Sequence, residues 1–134
     1  MVGFKFDWDS SIEVGIPKVD LQHQELFKIA RNIEQILMIN CMGITNDQLL
    51  HIIGELRDYV TYHFYEEEIF MQQINYPQFL THRQSHEAFK ADINKIDIDD
   101  LTSSLQNLKD LLQNWFFDHI LIEDKAIKTF LMAL

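Results

Sequence analysis

The chain predicts an all-α fold, an up-down-up-down antiparallel four-helix bundle with an N-terminal arm and a short C-terminal helix. Three observations lead there. Only 4 Gly and 2 Pro occur in 134 residues, so few positions break long helical elements. Four segments carry apolar residues at alternating separations of three and four, the period of one helix face. The connections between these segments are short, which makes consecutive helices antiparallel neighbours. The length suits one domain, residues 1–134. The 47% hydrophobic content, with 10 Phe, is enough for a sizeable core.

The arm, with Phe4, Phe6 and Trp8, has no helical period and is expected to lay its aromatics across the bundle. The first helix spans roughly 18–39, with inner stripe Val19, His23, Leu26, Ala30, Ile33 and Leu37. Asn40 to Gly43 break that pattern. The second spans roughly 46–73, opened by Thr45 or Asn46 as capping residue. Its stripe is Leu49, Ile53, Leu56, Val60, His63, Glu67 and Phe70. Asn75-Tyr76-Pro77 stops it, and Pro77 suits the first turn of the third helix, roughly 78–94. The third stripe is Phe79, His82, His86, Phe89 and Ile93. Acidic residues between Asp97 and Asp100 suit the start of the fourth helix. Its stripe is Leu101, Leu105, Leu108, Leu112, Trp115, His119 and Ile122. A tail helix is expected near Ile127–Leu131.

Eleven basic residues against 21 acidic ones give a net charge of −10. That opposes nucleic acid or an anionic membrane surface as partner and favours solubility. No apolar run reaches a membrane span, and the N-terminus lacks a signal peptide's basic-then-apolar order. The single cysteine, Cys41, excludes an internal disulfide and fits a reducing cytoplasm. The start at Met1 and the closed four-helix pattern lead us to expect a free-standing protein, and a monomer is the default expectation.

Polar residues interrupt the apolar stripes in a pattern. His23, His63, Glu67, His82, His86 and His119 occupy positions where a bundle would place core residues. Buried without partners, such groups cost roughly 1–3 kcal/mol each; a metal cluster satisfies them together. Bundle topology makes them converge. The starts of the first and third helices share an end with the finishes of the second and fourth. His63 and Glu67, like His82 and His86, are four apart and offset by only about 40°, so each pair can grip one centre. Asp124 fits less simply. It lies five after His119, about 140° further round an ideal helix. The fourth helix is therefore expected to distort, or to end and turn, near Ile122–Glu123.

Seven ligands exceed the four of a tetrahedral zinc site, and imidazole suits Fe, Cu, Zn and Ni alike. Two carboxylates can bridge two metals about 3.5–4 Å apart. With a solvent-derived oxygen as a third bridge, the five histidines split three and two. One metal is then full and the other keeps one open position.

The ordered set of residues resembles the hemerythrin family, non-haem di-iron oxygen-binding proteins, and bacterial hemerythrins in particular. The resemblance covers nearly the whole chain: Trp8-Asp9; Gly15-Ile16-Pro17-Lys18-Val19-Asp20 leading to Gln22-His23; His63-Phe64-x-x-Glu67-Glu68-x-x-Met71; Tyr76-Pro77; His82-x3-His86; and Trp115-x3-His119-Ile120-x3-Asp124. It implies two Fe ions with an oxo or hydroxo bridge. His82, His86 and His119 would bind the full iron, His23 and His63 the iron that takes O2, and Glu67 and Asp124 would bridge. Azide and NO are further small ligands.

Other polar residues are set aside. His51 breaks its stripe at the opposite end and reads as surface; Cys41, in the first turn, reads as incidental. Glu66 and Glu68 point about 100° to either side of Glu67 and read as a solvated face. Asp118 and Glu123 are surface charges or acceptors for imidazole N–H groups. Trp115 and Phe89 are core first and pocket walls second.

The implied activity is reversible O2 binding for storage, delivery or sensing, without enzymatic turnover. Five His to two carboxylates differ from the four Glu and two His of ferritin-like di-iron oxidases, and no further acid, base or nucleophile stands on the seam near the cluster. The alternatives are a di-iron oxidase or peroxidase, a two-metal hydrolase, and an iron-buffering or nitric-oxide-responsive protein. Phe116, three before His119, falls where the family's oxygen pocket is lined, commonly by a smaller aliphatic. Phe116→Leu is expected to change the rates of azide or O2 binding in stopped-flow measurements; identical rates in both proteins would remove that role.

Overall fold

The computed structural model describes residues 8, 10–39, 42–95 and 100–134, without the side chains at 11, 101, 102, 116 and 117. All regular elements among them are helical. A 3-10 turn, Ser10–Ile12, leads to α1 (Pro17–Met38), α2 (Asn46–Gln73), α3 (Phe79–Asn94) and α4 (Leu101–Trp115). A π-helical segment, Phe116–Asp124, then runs into α5 (Lys125–Met132). Helix α1 packs against α2 and α4, and α2 also packs against α3. These are the neighbours of an up-down-up-down bundle. No helix among the described residues is long and apolar enough to cross a membrane.

The ends of the helices follow from local chemistry. Pro17 sits in the first turn of α1, where its missing N–H costs nothing. Asp20 of that turn reaches back and accepts from the backbone N–H groups of Val14 (2.8 Å) and Gly15 (3.1 Å). Gly15 has φ +86°, a left-handed conformation that glycine adopts without penalty. Thr45 opens α2 with a capping box. Its hydroxyl accepts from Gln48 N (3.1 Å), and the Gln48 side chain accepts from Thr45 N (2.8 Å).

Helix α2 closes in a Schellman motif. Asn75 takes the left-handed conformation, φ +55°. Tyr76 N donates to Met71 O (2.9 Å) and Asn75 N to Gln72 O (3.1 Å). Pro77 is displaced from its expected place in the first turn of the third helix. The turn from Tyr76 to Phe79 (3.2 Å) puts Pro77 two residues ahead of α3. Asp100 caps α4 by accepting from Ser103 N (3.2 Å); Asp97 lies outside the described residues.

Most stripe positions are buried as expected, and Leu26, Ile33, Leu56, Leu105, Leu108 and Leu112 form the centre of the main core. Each contributes about 1.5–3 kcal/mol by leaving water. Met71, Tyr76 and Ile127 make a second, smaller cluster between the end of α2 and α5. Trp8 packs edge-on against Phe27 of α1, ring centroids 5.2 Å apart, as expected of the arm; Phe4 and Phe6 lie outside the described residues.

The fourth stripe departs from expectation at its end. Ile122, expected inside, is 65% exposed, whereas Ile120, Asp124 and Ile127 are buried. The cause is the π-helical segment. Its hydrogen bonds run between residues five apart, so the turn is wider than in an α-helix and the inner face shifts register. The contrast gives a direct test. Ile120→Ala is expected to cost about 2–5 kcal/mol in urea unfolding, and Ile122→Ala to stay within about 0.5 kcal/mol; equal costs would refute the shifted register.

Candidate metal centre

All seven residues singled out in the sequence come together at one end of the bundle. His23 lies in the second turn of α1, His63 and Glu67 in the second half of α2, His82 and His86 in the first half of α3, and His119 and Asp124 in the π-helical segment. None is more than 3% exposed. The π turn places His119 and Asp124, five apart, on one face. The chain thus distorts near Ile122 without ending, one of the two ways expected for Asp124 to reach the cluster.

The two carboxylates divide the histidines. Glu67 Oε1 lies 2.7 Å from His82 Nε2, 3.2 Å from His86 Nε2 and 3.9 Å from His119 Nε2. Glu67 Oε2 lies 3.5 Å from His63 Nε2 and 4.0 Å from His23 Nε2. Asp124 repeats the division. Its Oδ1 is 2.8 Å from His82 Nε2 and 3.1 Å from His119 Nε2, and its Oδ2 is 3.0 Å from His23 Nε2. Two groups result, each compact enough for a cation: Glu67, His82, His86, His119 and Asp124; and His23, His63, Glu67 and Asp124.

The outer edges of the rings are held as well. His63 Nδ1 donates to Gln22 Oε1 (2.6 Å) and His86 Nδ1 to Glu68 Oε2 (3.1 Å), and His119 Nδ1 lies 2.9 Å from Glu123 Oε2. With the proton on Nδ1, a neutral ring turns its Nε2 lone pair inward. Phe64 stacks on His86 (3.9 Å, 5° between planes) and Trp115 on His119 (4.7 Å, 13°). Bond and stack together fix the His86 ring, while the stack and the nearby Glu123 carboxylate position that of His119.

This arrangement fits metal cations. His86 Nε2 and His119 Nε2 face each other at 3.0 Å, and His23 Nε2 and His63 Nε2 at 3.1 Å. Facing lone pairs repel unless positive charge lies between them. Glu67 Oε2 and both oxygens of Asp124 are buried without an aligned hydrogen bond among the described residues, an arrangement that is costly unless a cation compensates it. The titration shifts point the same way. Burial opposes ionisation of Glu67, yet the neighbouring His119, His82 and His86 hold it well below the usual carboxylate range. Burial pushes His63 down to about 3. Burial also opposes charge on His82, but the carboxylates of Asp124 and Glu67 outweigh it and raise the ring to about 9.

Several residues read differently from their sequence expectation. Glu68 is an acceptor for His86, where a solvated face was expected, because the start of α3 packs beside it. Glu66 does face outward and pairs with Lys18 (3.0 Å). Glu123 lies beside His119 Nδ1, close but without an aligned hydrogen bond, and Asp118 is surface. The His51 side chain is 79% exposed, beside Glu55. Trp115 and Phe89 are buried. Cys41 and the side chain of Phe116 lie outside the described residues. Sequence reasoning named Phe64 and Gln22 only within the resemblance and gave neither a role. Phe64 was discoverable, since Val60, Phe64, Glu67 and Met71 form a second stripe with spacing 4-3-4. Gln22 carried only its place beside His23; Tyr59 steadies it, donating from its hydroxyl to Gln22 O (2.8 Å).

Comparison with known proteins points to one family. Residues 14–131 match the hemerythrin HHE cation binding domain. The bacteriohemerythrin of Clostridium acetobutylicum is 31% identical over 124 residues, covering 90% of this chain and 96% of that protein. The bacteriohemerythrin of Campylobacter jejuni is 29% identical over 112 residues, covering 81% and 82%. That of Stenotrophomonas maltophilia is 25% identical over 124 residues, covering 89% and 76%. With the family match spanning all seven cluster residues and a relative of this identity spanning nearly the whole chain, the protein belongs to the hemerythrin family.

Proposed function

We propose that the protein holds two iron ions in the buried cluster and binds O2 there reversibly, for storage, delivery or sensing, as a cytoplasmic carrier and not an enzyme. The observation that carries this reading is the three-to-two division of the histidines across two shared carboxylates. His82, His86 and His119 would hold one iron, His23 and His63 the other, and Glu67 and Asp124 would bridge them, together with an oxo or hydroxo group. The half with two histidines is one ligand short, and that is where O2 would dock. A ferrous pair, when bound, supplies the electrons on which the O2 ligand draws.

The chain's own residues favour release of O2 over its consumption. Phe64 and Trp115 cover His86 and His119 with apolar surface and keep water from those rings. Gln22, Glu68 and Glu123 meet the histidines on their outer Nδ1 edges. They therefore hold protons on the side away from the inward-facing Nε2 atoms. A dry interior with its proton carriers on the far side of the rings delivers protons poorly, and consumption of O2 needs protons.

Absorption spectra of the anaerobically reduced protein test this, recorded before air, in air and after removal of O2. A visible charge-transfer band that comes with air and goes with O2 removal is expected. A band that persists would mean an oxidase or a rapidly oxidising sensor, and no band in iron-loaded protein would end the oxygen-binding reading. Glu67→Ala is expected to lower bound iron from two per chain to one or none by elemental analysis; unchanged iron would remove the bridging role of Glu67.

A further inference from the structure

The outer edges of the imidazoles differ between the two halves of the cluster. In the three-histidine half, His86 and His119 each face a carboxylate with the outer nitrogen. His86 Nδ1 donates to Glu68 Oε2 at 3.1 Å, and His119 Nδ1 lies 2.9 Å from Glu123 Oε2. Helix α3 holds both carboxylates in place. Arg83 Nε lies 3.7 Å from Glu68 Oε1, and Ser85 Oγ donates to Glu123 Oε1 at 3.1 Å. In the two-histidine half, His63 Nδ1 donates to the neutral amide oxygen of Gln22. His23 Nδ1, fully buried, makes no hydrogen bond among the described residues; His119 Nδ1 makes none that is aligned either, but it has the Glu123 carboxylate 2.9 Å away.

A carboxylate on the outer N–H raises the basicity of the opposite ring nitrogen and fixes the ring's orientation. A neutral amide also orients the ring but adds less electron density, and an N–H with neither a hydrogen-bond acceptor nor a carboxylate beside it gains neither. The half with more histidines thus also has the stronger donors, and the two effects add.

On the two-metal reading above, we infer that the two positions are unequal and load in order. The three-histidine position fills first and retains its ion. The two-histidine position fills second and exchanges, because His23 is its least supported ligand. Glu68 and Glu123 are the positioning residues that set this order, each acting through the ring it touches.

The test is an anaerobic titration of metal-free protein with Co2+ alone, followed by the visible absorption of the bound ion and by competition with a chelator. The wild type is expected to take two ions in resolved steps, the first at least about tenfold tighter. Glu68→Gln and Glu123→Gln should each weaken the first step by about 10–100-fold, the usual effect of losing such a partner, and leave the second nearly unmoved. Gln22→Glu, which gives His63 a carboxylate, should tighten the second step. Ser85→Ala should weaken the first step by loosening Glu123 without removing any charge, and it serves if the Glu variants fail to fold. Two ions bound with equal affinity, or variants that weaken both steps alike, would overturn the inference while leaving two metals in place. Uptake of fewer than two ions by the wild type would overturn the two-metal reading itself.

Discussion

The sharing of Glu67 and Asp124 between two sets of histidines is the constraint on which the rest depends. Two buried carboxylates cost several kcal/mol each unless positive charge and hydrogen-bond donors surround them. Each carboxylate presents one oxygen to His82 and its neighbours and the other to His23. That demand sets the local backbone. An α-helix cannot turn His119 and Asp124 to the same side, because five residues rotate it about 140° too far. The π-helical segment removes the conflict, and Ile122 is left facing solvent as a consequence.

The bundle separates two tasks along its length. The end where α1 turns into α2 is packed with aliphatic side chains, Ile33, Leu105 and Leu108 among them, and supplies stability by burial alone. The opposite end gives up apolar core for seven polar groups. What limits the loss there is aromatic packing. Phe64 touches His86, Phe89 and Trp115 at once, so one fully buried ring serves both the core and the cluster. The Schellman motif at Asn75 matters for the same reason. It returns the chain so that α3 begins within reach of the end of α2, and His82 can meet Glu67 fifteen residues back.

The fold and the seven cluster residues were legible because both are periodic signals. Interrupted stripes such as Val60-His63-Glu67 and His82-His86-Phe89 report helix, inner face and exception to apolarity in one pattern. Alternating helix direction then places all the exceptions at one end. The partners on the outer edges were not legible. Gln22 is an ordinary polar residue in sequence, and it becomes the acceptor for His63 only because α1 and α2 pack side by side, 41 residues apart in the chain. Glu68 looked like a surface charge because its angular position on α2 is outward; the start of α3 covers that direction.

By itself, then, the sequence determined the helices, their order, the identity of the seven converging side chains and the end of the bundle where they meet. These properties depend on side-chain type and on a period of about 3.6 residues, both of which are local. Tertiary structure decided the rest: which carboxylate oxygen faces which histidine, the π register that brings Asp124 inward, and the unequal support behind the two halves of the cluster. Each of these is a contact between helices or a departure from ideal helical geometry, and neither is encoded by any single segment.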